Sequence, residues 1–165
     1  MENLFEFKLM KKKTNHTLYM IKMNNEDIYI RLNKVYIPFD ITKYNNNYYV
    51  IIEMLLDDEE NIKLIRKFEN RIMDEIMDKR IIGKNDEFDS TLKKKKMTYH
   101  FKTMIKKSKK GDGLIYDKEL GEKIKDRGDS KEKYEIIIKP EILWRSEEKG
   151  NYGITYYLVE VNNIK

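Results

Sequence analysis

The chain reads as a mainly β protein with one main α-helix, and three observations predict this. Tyr134-Glu-Ile-Ile-Ile-Lys-Pro-Glu-Ile-Leu-Trp-Arg145 and Tyr152-Gly-Ile-Thr-Tyr-Tyr-Leu-Val-Glu-Val161 are runs rich in β-branched and aromatic residues, joined by a polar turn over 146–151, and so predict a hairpin. Further short alternating runs recur through the first 105 residues. Between them lies a single stretch of helical period, in which Ile62, Ile65, Phe68, Ile72 and Ile76 share one face.

Taken in order, Leu4 to Met10, Thr17 to Met23 and Asp27 to Leu32 are strand candidates, with Asn24-Asn25 as a turn. Together they predict a small N-terminal β extension over residues 1–33. Val35 to Ile41 carries Pro38, which lacks a backbone donor and so fits an edge strand or a bulge. Asn45 to Asn47 forms the next turn and Tyr48 to Met54 the next strand. Asp57-Asp-Glu-Glu60 opens the helix: an aspartate can accept from the free N–H groups of the first turn, and the carboxylates suit the positive end of the helix dipole. The helix should end near Arg80. Met97 to Ile105 alternates as a strand, with Tyr99 and Phe101 on one face and His100, Lys102 and Lys106 on the other. Leu114 to Tyr116 is a further strand candidate, reached through the glycine turn at 111–113. Residues 118–133 read as a loop or a short helix followed by a loop. In the last strand Ile154, Tyr156 and Leu158 share a parity and should face the core.

These features in this order, a β-run ending in Leu143-Trp144, a short turn, then Tyr152-Gly-Ile-Thr-Tyr156 and a valine-rich end, resemble the last hairpin of the single-stranded-DNA-binding proteins of large DNA viruses, similar also to T7-type phage single-strand binders. Val35 to Ile41, Tyr44, Tyr48 to Met54, the helix around Phe68-Glu-Asn-Arg-Ile72, Tyr99-His-Phe-Lys102 and Leu114 to Tyr116 follow the family's order over roughly residues 34–162. The resemblance implies an OB-like five-stranded barrel with a helical insertion over residues 34–165. It implies sequence-independent binding of single-stranded DNA in viral replication, repair or recombination, at the viral replication site in the host cell. The partners so implied are single-stranded DNA, with RNA as the alternative, together with replication proteins and a second copy of the chain. A viral structural or protein-interaction scaffold is the competing reading.

Charge distribution agrees with a polyanion partner. Of the overall +5, the segment 93–110 holds nine lysines and no acid, so the rest of the chain is net acidic. A local patch of this kind gains affinity by releasing counterions condensed on phosphates. Lysines beside strand aromatics form the groove chemistry of single-strand binders, backbone charge on the one and bases on the other. The candidate nucleic-acid contacts are therefore Lys93, Lys94, Lys95, Lys96, Lys102, Lys106, Lys107, Lys109, Lys110 and Arg145 for phosphate, with Tyr99, Phe101, Tyr116, Trp144 and Tyr152 for stacking. Trp144 is divided between a core anchor and a stacking platform.

No enzyme is expected. The acids at 57–60 are better used as helix caps than as a Mg²⁺ site, and His16 and His100 are too far apart in sequence to suggest a metal centre. The glycine turn at 109–113 lacks the Gly-Lys-Ser/Thr ending of a phosphate-binding loop. No cofactor is implied. The chain has no cysteine and no long apolar run, which together point to a soluble intracellular protein without disulfides or membrane spans. Absence of Ala and Gln beside abundant Ile, Lys and Asn suggests an AT-rich coding genome.

Overall fold

A computed structural model describes residues 4–107, 118–126 and 132–164. The fold is mainly β, with ten strands and two helices among the described residues. Strands β1 (Phe5–Lys12), β2 (His16–Met23), β3 (Ile30–Val35), β4 (Thr42–Tyr44) and β5 (Asn47–Leu55) precede helix α1 (Glu59–Asp78). Strands β6 (Glu87–Phe88), β7 (Leu92–Lys94) and β8 (Thr98–Ile105), helix α2 (Lys118–Lys125), and strands β9 (Tyr134–Ser146) and β10 (Asn151–Asn163) follow. The described residues fall into two compact units built from interleaved segments: one within Met1–Ile28, Glu59–Thr91 and Pro140–Thr155, the other within Tyr29–Asp58, Leu92–Lys139 and Tyr156–Lys165.

In the first unit β1 pairs antiparallel with β2, β2 with the second half of β9, and the first residues of β10 run parallel to β6. Of the N-terminal strands, β1 and β2 are thus part of a unit with α1 and the hairpin turn, while β3 belongs to the other unit. The apolar side of α1 buries Ile62, Ile65, Ile72 and Ile76, as the spacing predicts, and Phe68 meets Phe5 edge-on at 5.6 Å. The same helix satisfies the edge of β1: Phe5 N–H donates to Glu75 Oε1 at 3.0 Å, and Lys79 Nζ donates to the Phe5 carbonyl. Glu69, also buried, accepts from Ser90 Oγ at 2.6 Å. Helix α1 stops two residues before Arg80, which takes a left-handed φ of 55°. Arg80 N–H then reaches the Met77 carbonyl and Ile81 N–H the Ile76 carbonyl, the paired bonds of a Schellman ending without its usual glycine.

The second unit pairs β4 with β5, β5 with β8, β8 with β10, and β3 with the first half of β9; β7 lies against the other edge of β8. The β4–β5 turn places Asn45 and Asn46 at φ 48° and 63°, and Asn24 and Asn25 after β2 adopt 52° and 62°. Two successive positive φ values define the turn whose twist suits a hairpin, and asparagine tolerates them. The core side of this sheet holds Leu32, Val50, Ile52, Met54, Phe101, Ile136 and Tyr156, all fully buried. Thr103 is buried among them because its hydroxyl donates to the Val50 carbonyl at 2.9 Å. Ile154, Tyr156 and Leu158 are buried as their parity predicts. Pro38 lies outside every strand, after an isolated bridge between Tyr36 and Glu53. The sheet is open, and the Tyr36–Glu53 bridge sets the end of β3 beside β5.

Candidate nucleic-acid interface

Strand alternation in the second unit builds one partly exposed face opposite the core. With Val50, Ile52 and Met54 buried, Tyr49, Ile51 and Glu53 of β5 turn outward; with Phe101, Thr103 and Ile105 buried, His100, Lys102 and Met104 of β8 do the same. Register then arranges these side chains in rows. Thr42, Tyr49, Met104 and Tyr157 form one row across β4, β5, β8 and β10. Ile51 and Lys102 form the next. Tyr36, Glu53, His100 and Lys93 form the third. Since neighbouring strands lie roughly 4.8 Å apart, Tyr49 and Tyr157 flank Met104 with about 10 Å between their strands.

Lysines stand over the aromatics of this face. Lys102 Nζ sits 4.6 Å from the centre of the Tyr49 ring and Lys106 Nζ 5.6 Å from that of Tyr157. An exposed cation–π contact is worth only about 0.5–1 kcal/mol, against about 1–3 kcal/mol for a base stacked on an aromatic ring. Either ring would therefore gain more from a stacked planar group than it holds from its lysine. Glu53 is the only acid in the three rows. Its Oε2 lies 3.0 Å from His100 Nε2, and His100 in turn meets the exposed Phe39 ring in a T-shaped contact at 6.1 Å.

The structure divides the candidate contacts read from the sequence. Lys93, Lys102 and Lys106 belong to the face just described. Lys94 pairs with Tyr99 on the opposite parity, where Tyr99 is half-buried beside Met54, and Lys95 and Lys96 lie in the β7–β8 turn, all three lysines exposed. Lys107 is exposed after β8. Lys109, Lys110 and Tyr116 lie outside the described residues, as does the strand candidate 114–116. Phe101 does not reach solvent: it packs on Tyr156 at 4.6 Å with no exposed surface, so its place is the core and not a stacking site.

Trp144, Arg145 and Tyr152 fall in the first unit. Arg145 is held by Asp86, Nε to Oδ2 at 2.8 Å, and the same oxygen accepts from Gly83 N–H at 2.8 Å. Its guanidinium is thereby a tie between β9 and the turn before β6, in place of the phosphate contact expected of it. Tyr152 is 3% exposed against Phe88 and offers no ring face to a base. Trp144 is half-buried, with its indole laid against Gly153: a β-carbon there would fall 2.5 Å from Cζ2.

Burial lifts the Tyr152 phenol above its ordinary value of 10.0, and the Asp86 carboxylate adds to the lift. A raised folded-state value means that the native protein keeps this proton when the unfolded chain has lost it, so the associated stability is complete below pH 10 and is lost as pH rises beyond it. In urea unfolding between pH 8 and 11, Tyr152→Phe should lose less stability above pH 10 than the parent. Parallel pH curves would remove Tyr152 as the source.

The groove beside α2, about 430 Å³ and lined by Glu119, Glu122, Asp126 and Lys123, has the wrong sign for phosphate. No group of three or more His, Cys, Asp or Glu able to hold a metal ion occurs among the described residues, and no described helix is long and apolar enough to cross a membrane. No protein-family model matches the chain, and neither the curated proteins nor the solved structures contain a significant match to it.

The signal for Tyr49 and Tyr157 was present as alternation in their strands. What sequence reasoning missed is the register that sets both beside Met104 and places Lys102 near Tyr49. Phe39 had no comparable signal, since it lies outside the strands.

Proposed function

We propose that this protein binds single-stranded DNA without a strict sequence requirement, through the outer face formed by β5, β8 and β10, in the replication, repair or recombination of a large DNA virus. Its main support is the pair of tyrosines, Tyr49 and Tyr157, each overlaid by a lysine on one partly exposed sheet face. Lysines there would follow the backbone, while the rings take unpaired bases that a duplex keeps stacked inside. The finer fold reading, an OB-like barrel with α1 as its helical insertion, is part of the same proposal, as is action at a viral replication site. RNA would meet the same chemistry, and comparing DNA with RNA oligonucleotides separates the two.

Removing charge without removing apolar surface tests this reading. In the double variant Lys102→Gln with Lys106→Gln, binding to oligothymidine should weaken. The slope of log affinity against log salt should also become shallower by about 1.4, from roughly 0.7 for each phosphate no longer neutralised. An unchanged slope would assign both lysines to solvent.

A second reading, a protein-interaction scaffold, draws support from the first unit. There Leu18 and Met20 of β2 pair with Trp144 and Ile142 of β9, and all four are only half-buried. It would be favoured by a variant series in which oligonucleotides never bind.

A further inference from the structure

A carboxylate on a face that handles phosphates opposes binding unless it has a task there. Glu53 occupies such a place, in the row with Tyr36, His100 and Lys93. Its side chain keeps 26% of its exposure and that of His100 22%, so both reach the surface. His100 Nε2 holds one carboxylate oxygen at 3.0 Å, which fixes the direction in which the group points. Phe39, 52% exposed, meets the His100 ring in a T-shaped contact at 6.1 Å.

These three side chains bring together an aromatic surface and an oriented acceptor. An ionised carboxylate only accepts hydrogen bonds. Among the bases, guanine presents two adjacent donors, N1–H and the N2 amino group, on the edge left open in a single strand. Thymine presents one donor between two carbonyl oxygens that a carboxylate repels.

We propose that Phe39, His100 and Glu53 form a subsite that selects one unpaired guanine, stacked on Phe39 and read by Glu53, with His100 as the residue that positions the carboxylate. The proposal rests on the single-strand reading of this face and adds a local base preference to an otherwise sequence-tolerant affinity. It also accounts for an acid being kept among lysines. A well-formed two-bond contact discriminates by about 1–3 kcal/mol, roughly 5- to 150-fold in affinity.

The test is fluorescence anisotropy with the full chain and two labelled strands, oligothymidine and the same strand carrying one central guanine. The parent should bind the guanine strand at least about fivefold more tightly. Glu53→Gln should bring the two affinities within about twofold, while its oligothymidine affinity equals or exceeds the parent's because a negative charge has gone. Phe39→Ala, at an exposed position outside any strand, should also reduce the guanine preference and serves as the second variant if Glu53→Gln does not fold. Equal affinities in the parent, or a preference that survives in the variants, would overturn the subsite while leaving single-strand binding intact. Failure of the parent to bind either strand would overturn both.

Discussion

Gly153→Ala should destabilise the protein by about 1–3 kcal/mol or slightly more, the usual cost of forcing a methyl group into filled space. Its β-carbon would lie 2.5 Å and 2.7 Å from Trp144 Cζ2 and Cε2, and 2.8 Å from the Asp89 carbonyl oxygen. A rotamer change can move the ring; the carbonyl belongs to a backbone whose Asp89 N–H is bonded to the Tyr152 carbonyl at 2.8 Å. Adding Trp144→Ala should therefore restore only part of the loss. Chemical denaturation of the single and double variants, followed by far-ultraviolet circular dichroism, reads both effects. A loss below about 0.5 kcal/mol, the range of ordinary surface substitutions, would show that the indole is not held against this strand.

The largest effect on binding is expected from the two outward tyrosines. Tyr49→Ala and Tyr157→Ala should each weaken oligothymidine binding by about 1–3 kcal/mol, and the two losses should approach additivity if the rings hold separate bases. Folding should suffer less, because both residues are only half-buried. Phe101→Ala supplies the contrast. That ring is fully buried against Tyr156, and removing it should cost about 3–5 kcal/mol of folding stability. If both tyrosine variants bind as the parent does, this face is not where bases stack.

Much of the architecture could be read from local pattern. Isoleucines at helical spacing mark α1, asparagine pairs mark two turns, and parity correctly places Ile154, Tyr156 and Leu158 in the core. Each of these depends on neighbours along the chain. The composition of the candidate face was less accessible because it depends on pairing between distant segments. The Lys93 to Lys96 run looked like one cluster, yet β7 alternates, so Lys93 joins His100 while Lys94 joins Tyr99. Arg145 looked like a phosphate ligand because nothing local reveals Asp86 as its partner. Tyr152 reads from the sequence as a stacking residue, whereas Phe88 of β6 packs on its ring, and β6 is a two-residue strand too short to leave a periodic signal.

Equilibrium binding of the parent chain to matched single- and double-stranded oligonucleotides, repeated across a series of salt concentrations, tests the central claim most directly. Single-strand binding by lysines and stacked tyrosines predicts tighter association with the single strand and an affinity that falls as salt rises, while part of it persists at high salt because stacking does not depend on counterion release. Equal or tighter binding to the duplex, or no binding to the single strand at low salt, would contradict it.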